Sequence, residues 1–348
     1  MAETKPDTTG LLARIARGVV ALSAHSDRGG PTPPPYPHEA QSALDQLALW
    51  CLQGNLNPPT GVPELISWCA ERTFAQWAEM GIGGTAEPAE RLVHPVAKAP
   101  TRICLEIAGH AETANRLFTT AIAELHPGGA ARARAFLQHH VVVSNAAHRD
   151  LLITDPGSVT AFKSVRHLYE PAPTRLISDG VITLCPTCGL PAISADLPER
   201  GTTWCEAEVC PRDKPVTDTR QAADVLLLHR ALRLFLSLPG LVERSCLEQL
   251  QAACRPLVQH EATAGMYTAH LSGAENVVRF YDRTCATRLA KQVVEEQVTA
   301  AVLPAHVLSE EFRRVFKSSL PRNTGISLLS DEELVHEVTT KEKTDAKQ

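Results

Sequence analysis

Cys185-Pro186-Thr187-Cys188-Gly189, with Trp204-Cys205 and Cys210 following, is the stretch on which the reading of this chain turns. Two close cysteine pairs on short turns can bring four thiolates to tetrahedral distance of one ion, as a structural zinc site requires. The first pair carries the sharper signal, because in a CPxCG knuckle the backbone amides after the first cysteine hydrogen-bond the sulfurs. The second pair, C-x4-C, lies at the loose end of ligand spacing, and the competing reading is four unlinked thiols in a loop. A redox CxxC would need a βαβ context, which the flanking sequence lacks. A closed four-cysteine site leaves no open coordination position. Zinc held by Cys185, Cys188, Cys205 and Cys210 is therefore expected to be structural.

Around this ribbon stand 348 residues with ten cysteines in all, far below the density of a disulfide scaffold. Cys51, Cys69, Cys104, Cys246, Cys254 and Cys285 sit among apolar neighbours and read as small buried hydrophobes. A hydrophobic share of 44% with 5% aromatics implies cores of Leu, Ala and Val. The formal charge of −5 excludes a polycation, so any nucleic-acid contact must come from a local basic face. No apolar run approaches the ~18 residues of a membrane span. The start MAETKPDTTG carries acids where a signal peptide needs bases, and Arg14 and Arg17 interrupt the apolar stretch that follows. A cytoplasmic protein without membrane contact is expected.

Upstream of the ribbon the texture is helical. Residues 10–24 are apolar at helical spacing, PTPPPYP at 31–37 is an extended break, and amphipathic stretches run from His38 to Leu52 and from Val62 to Trp77. Residues 82–100 read as a loop, and helical patterns resume at 110–125, 129–139 and 157–168. Residues 1–170 are thus expected to form an independent α-helical interaction domain, soluble and helical as a fragment ending near Thr174. Residues 171–218 are expected to be the zinc ribbon, whose small core should unfold alone on chelation.

Downstream, helices are expected over 222–237 and 240–253, strand-like runs at 256–260, 266–272 and 276–281, and then helix 284–297, strand 298–304, helix 308–319, strand 326–330 and a helix opened by Ser330-Asp331-Glu332-Glu333. That order belongs to a mixed-sheet α/β domain over 219–340, with 341–348 a charged tail. The fold class is multidomain, α followed by α/β.

Several segments together resemble a known family. LLARIARGVVAL, PYPHEAQSALDQLALWCL, GVPELISWC, HLYEPAP and the CPTCG…WC ribbon resemble domain Y of the three-gene islands that encode a PIWI-type Argonaute relative, pPIWI-RE. In that family domain Y precedes a zinc ribbon and a restriction-endonuclease-fold domain. LLLHRALRLFLSLPGLVERSCLEQL and ISLLSDEELVHEV look like the first helices and the last strand and helix of that nuclease. The resemblance implies a C-terminal restriction-endonuclease-like αβββαβ domain. It further implies an accessory role in a prokaryotic anti-phage or anti-plasmid defence island, with a pPIWI-RE Argonaute-like protein and a helicase as partners.

A nuclease of this fold needs a carboxylate on one central strand and a second acid on the next, then Lys two residues on, to hold Mg²⁺ and steady the attacking water. Glu243 stands in the first-helix position. Thr268 stands where the first strand should carry Asp, and the second strand offers Asp282 with no Lys after it. The Asp…(Asp/Glu)-x-Lys motif is broken, so Glu243 and Asp282 are only residual candidates, and Mg²⁺ enters only if the domain still cleaves. Between Leu226 and Arg322 there are 12 Lys/Arg against nine Asp/Glu. Arg230, Arg233, Arg283, Arg313, Arg314 and Lys317 are the candidate phosphate contacts, and DNA the expected ligand, against the alternative of plain solvated faces. Trp50, Trp68 and Trp77 could stack bases but fit a core better. His139, His140 and His148 lack acids at metal spacing. Three readings result: a non-catalytic defence subunit, an active Mg²⁺-dependent endonuclease with a migrated site, and a zinc-ribbon DNA-binding regulator.

Overall fold

Apolar residues at helical spacing build the first two helices, α1 (Thr8–Ser26) and α2 (His38–Gln53), in the computed structural model. The described residues are 8–26, 34–83, 88–95, 97–144, 155–194, 203–208, 210, 218–253, 257–259, 266–271, 274–282, 285–322 and 324–340. Leu11, Leu12, Ile15, Ala16 and Val19 of α1 share one core with Ala40, Ala43, Leu44, Leu47 and Cys51 of α2. The two backbones approach closely at Gly18, where a Cβ would lie 2.9 Å from the Ala43 Cβ and 3.0 Å from the Glu39 carbonyl.

The single helix expected from Val62 to Trp77 is two helices, α3 (Val62–Glu71) and α4 (Phe74–Glu79). Thr73 divides them. Its side chain accepts from the Gln76 amide while the Gln76 side chain takes the Thr73 amide, a capping box that starts a new helix. A short helix absent from the sequence reading, α5 (Arg102–Ile107), is N-capped by Thr101. Then follow α6 (His110–Ile122), α7 (Pro127–His139), β1 (Val142–Ser144), α8 (Pro156–Val165) and β2 (Tyr169–Pro171). The Gly109 N-cap of α6 has φ +90°, a left-handed conformation that suits glycine.

The ribbon is a meander of β3 (Ile177–Ser178), β4 (Val181–Leu184), β5 (Pro191–Ser194) and β6 (Thr203–Cys205), to which β7 (Asp218–Gln221) adds by pairing with β4. Beyond it the helix expected over 222–237 is corrected. A turn at Ala222–Asp224 leads into β8 (Val225–Leu228), and helix begins only at α9 (Arg230–Leu232), continued by a π-helical stretch over Arg233–Ser237. The leucines that mimic a helical stripe are the centre of a three-stranded sheet, where β8 lies antiparallel between β1 and β2. Leu176, Ile182 and Leu184 of the ribbon share a core with Val225 and Leu227 of β8.

Contacts divide the chain into two compact units, Met1–Phe235 and Leu236–Gln348, and the ribbon lies in the first. The tail at 341–348 lies outside the described residues.

The second unit contains α10 (Leu238–Ala252), β9 (Val258–Gln259), β10 (Met266–Leu271), β11 (Ala274–Phe280), α11 (Ala286–Glu295), β12 (Ala300–Leu303), α12 (Glu310–Ser319), β13 (Ser327–Ser330) and α13 (Asp331–Thr340). This is the expected order of elements. β9, β10 and β11 form an antiparallel meander, β12 joins parallel to β11, and β13 parallel to β12. Side chains alternate across the sheet. Tyr267, Ala269, Val278, Phe280, Ala300 and Val302 pack with Cys246, Leu250 and Leu334 of α10 and α13. Met266, Tyr281, Ala301 and Leu303 pack with Leu289, Val293 and Phe316 of α11 and α12. Helices thus cover both faces.

Two predictions follow from the first unit. Gly18→Val should destabilise the protein by about 1–3 kcal/mol, because α1 and α2 would have to part, and urea unfolding measures this. A fragment ending at Thr174 lacks β8 and leaves β1 and β2 without their partner. It should show a lower and broader thermal transition by circular dichroism than a fragment ending at Phe235.

Candidate metal centre

The CPTCG turn forms because Gly189 takes φ +70°, letting its amide return to the Cys185 carbonyl at 2.8 Å while the Cys185 amide reaches the Leu190 carbonyl at 2.8 Å. Strand β6 delivers Cys205 from the other side, with its Sγ 3.4 Å from that of Cys188, and the Ala207 amide donates to the Cys205 sulfur at 3.4 Å. The four Sγ atoms of Cys185, Cys188, Cys205 and Cys210 lie within 4.8 Å of one another. A tetrahedral ion with Zn–S of about 2.3 Å sets its sulfurs about 3.8 Å apart. The donor set and spacing therefore fit a closed tetrathiolate site. Among the described residues this is the one group of three or more potential ligands close enough to share an ion.

The thiols also show the electrostatics of a ligand cage. Hydrogen bonds from Cys188, Cys205 and Cys210 hold the Cys185 thiol well below its ordinary range, and the bonds to Cys185 push Cys188 and Cys205 up.

Glu206 follows Cys205 directly and is completely buried. Arg233, also 0% exposed, grips it with two hydrogen bonds of 2.6 and 2.9 Å, and the Arg230 Nε lies 2.8 Å from Oε1. Burial raises the carboxyl's pKa, but Arg233 and Arg230 outweigh it and leave Glu206 at about 2. Arg230 is itself lowered to about 10, chiefly by burial. Arg233 Nη1 further donates to the Leu228 carbonyl at 2.5 Å and Arg230 Nη2 to the Pro100 carbonyl at 3.1 Å. This corrects the sequence reading of both arginines as phosphate contacts. Their guanidiniums are buried and engaged inside the protein. A pairing with Glu206 was not foreseen, and the one signal was an acid beside a ligand cysteine.

Residues 11–158, the segment that contains Pro100, match the model of the family described as pPIWI_RE three-gene island domain Y. That segment is similar to domain Y of the pPIWI-RE islands. Searches of curated proteins and of solved structures returned no match.

Within this domain Y the three tryptophans do not form a base platform. Trp77 is fully buried, Trp68 lies tilted against it at 6.3 Å, and the Arg72 guanidinium covers Trp68 at 3.6 Å. His140 closes α7 by stacking on Phe136 at 4.4 Å. His148 lies outside the described residues. No helix among those described is long and apolar enough to cross a membrane.

The remaining candidates lie in the second unit. Arg313 is engaged by Glu333, with two bonds of 2.9 Å, and by the Leu328 carbonyl, so it fastens α12 to the last strand and helix. Arg314, 3.6 Å from Glu311, and Lys317 are exposed. Arg283 falls outside the described residues. Glu243 of α10 accepts a hydrogen bond from the Tyr267 hydroxyl, and Tyr267 packs edge-on against Phe280 at 5.7 Å. The residue of β10 facing Glu243 is thus Tyr267, where the sequence reading singled out Thr268. Asp282 is buried just beyond β11.

Full-length protein should contain one zinc by elemental analysis, and Cys185→Ser should lose it. A pH effect is also expected from His110, the first residue of α6. Burial, then Arg230 and His229, hold its pKa at about 4 against 6.5. The folded state keeps His110 neutral while the unfolded chain binds a proton, so its contribution is full above pH 6.5 and is lost as pH falls toward 4. His110→Gln should flatten the decline in melting temperature between pH 6.5 and 5.

Proposed function

We propose that this protein is a non-catalytic subunit of a three-gene island defence complex. In this reading domain Y and the zinc ribbon form a docking unit for the other island products, a pPIWI-RE Argonaute-like protein and a helicase, in the cytoplasm. Residues 236–340 form a restriction-endonuclease-like module that has lost its chemistry. The match of residues 11–158 supports the island role. A meander followed by a helix and a parallel strand, with helices on both faces, supports the nuclease ancestry.

The observation that carries the non-catalytic reading is the environment of Glu243. A metal-dependent nuclease needs converging carboxylates there. On the sheet face that packs with α10, β10 and β11 instead carry Tyr267, Val278 and Phe280, and Glu243 receives a tyrosine hydroxyl. Losing such contacts costs about 10²–10³-fold in rate each. Binding remains open to the module. Arg314 and Lys317 provide an exposed basic stretch on α12, with Arg283 a further candidate from sequence.

Purified protein incubated with plasmid and Mg²⁺ or Mn²⁺ should leave the DNA intact, and Asp282→Ala should behave identically. Metal-dependent cleavage lost in Asp282→Ala or Glu243→Ala would replace this reading with an active nuclease. Co-expression with the neighbouring island proteins should yield a complex that forms through residues 8–235. Binding to DNA alone, with no island partner, would favour the regulator.

A further inference from the structure

The two acids beside the second cysteine pair both reach into the region that carries the domain Y helices. Glu206 grips Arg230 and Arg233, and Arg230 in turn holds the Pro100 carbonyl just ahead of α5. Glu208 Oε1 accepts the backbone amide of Arg102, the first residue of α5, at 3.1 Å. The Arg102 side chain, 4% exposed, lies 5.4 Å from the ring centre of Phe235. Both carboxylates sit between Cys205 and Cys210, on a segment in which Glu208 takes φ +62°, a left-handed conformation that a glutamate adopts only under constraint.

We infer that the metal held by the four cysteines clamps this segment so that Glu206 and Glu208 hold α5 and α6 of domain Y in place, and that metal release is transmitted to those helices. This goes beyond the proposed function and does not rest on it. The path is physical. With Cys205 and Cys210 ligated to one ion, residues 206–208 are closed into a short loop whose ends cannot separate. Without the ion the loop is held by the Glu206 amide on the Pro191 carbonyl and the Glu208 amide on the Cys205 carbonyl, and the strained residue can relax. As the carboxylates withdraw, Arg233 and Arg230 remain buried with Arg175 near them, and guanidiniums do not lose their charge. They must open to water, and that opening loosens α9, the Pro100 contact and α6, whose His110 faces Arg230. The ribbon does not unfold alone.

Hydrogen exchange on the full chain tests this, with zinc bound and after chelation. Chelation should speed exchange in residues 102–122 by at least about tenfold, reversed by added zinc, while β12 of the second unit stays protected. Glu206→Gln keeps all four cysteines. Its zinc content should be unchanged, yet residues 102–122 should exchange fast even when loaded. Glu208→Ala removes the acceptor of the Arg102 amide while Glu206 keeps its two arginines, and should act chiefly at α5. Acceleration confined to 181–210 on chelation, wild-type protection in loaded Glu206→Gln, or a full chain that contains no metal would each overturn the proposal. The chelation arm decides the matter even where Glu206→Gln does not fold.

Discussion

A carboxylate removed entirely from water must find cations or give up its charge, and Glu206 finds two. The bidentate grip of Arg233 and the pairing with Arg230 bind the residue after Cys205 to the helical run that follows β8. Because Arg233 also takes the Leu228 carbonyl, the same interaction fixes the end of β8, the strand on which β1 and β2 pair. The ribbon, the three-stranded sheet and the start of α5 thus share one electrostatic knot. A buried ion pair is weak evidence of net stability, since apolar residues of similar volume often do as well. Removing one partner, however, typically costs about 3–5 kcal/mol.

The second unit makes the contrasting point. Its sheet positions the residues of the expected nuclease face well, but those positions hold side chains that pack. Tyr267 and Phe280 meet edge to face, Val278 is fully buried, and the one acid of α10 is satisfied by a phenol. The strand alternation and the two helical layers come from apolar spacing, so the sheet forms without any help from charged residues on this face. Arg313, engaged with Glu333 and the Leu328 carbonyl, fastens the last helix to the sheet from the other side.

Much of this was legible in the sequence, for identifiable reasons. The four cysteines announce themselves because metal geometry constrains spacing tightly. The second unit was readable because its strands and helices alternate with clear period changes. Leu226–Leu228 misled because three leucines before an arginine-rich run satisfy a helical stripe, and only the pairing with two strands much earlier in the chain makes them a strand. The division of α3 from α4 rests on Thr73 and Gln76, a capping box that was present in the sequence but outweighed by the apolar period. The burial of Arg230 and Arg233 was not legible, because nothing local to an arginine reveals a glutamate 24 or 27 residues away.

The central place of β8 bears on how the chain is made. Val142 pairs with Leu227 and Tyr169 with Leu228, so both flanking strands wait for a strand synthesised much later. As the nascent chain leaves the ribosome, the α1–α2 pair can close at once, because its contacts are local. β1 and β2 cannot, and their unpaired backbone and the apolar side of Val143 stay open until residue 228 emerges, with long loops still to be closed from each strand. The ribbon lies within that interval. A metal ion taken up by the emerging cysteines would tie off part of that interval and shorten the loop left to close.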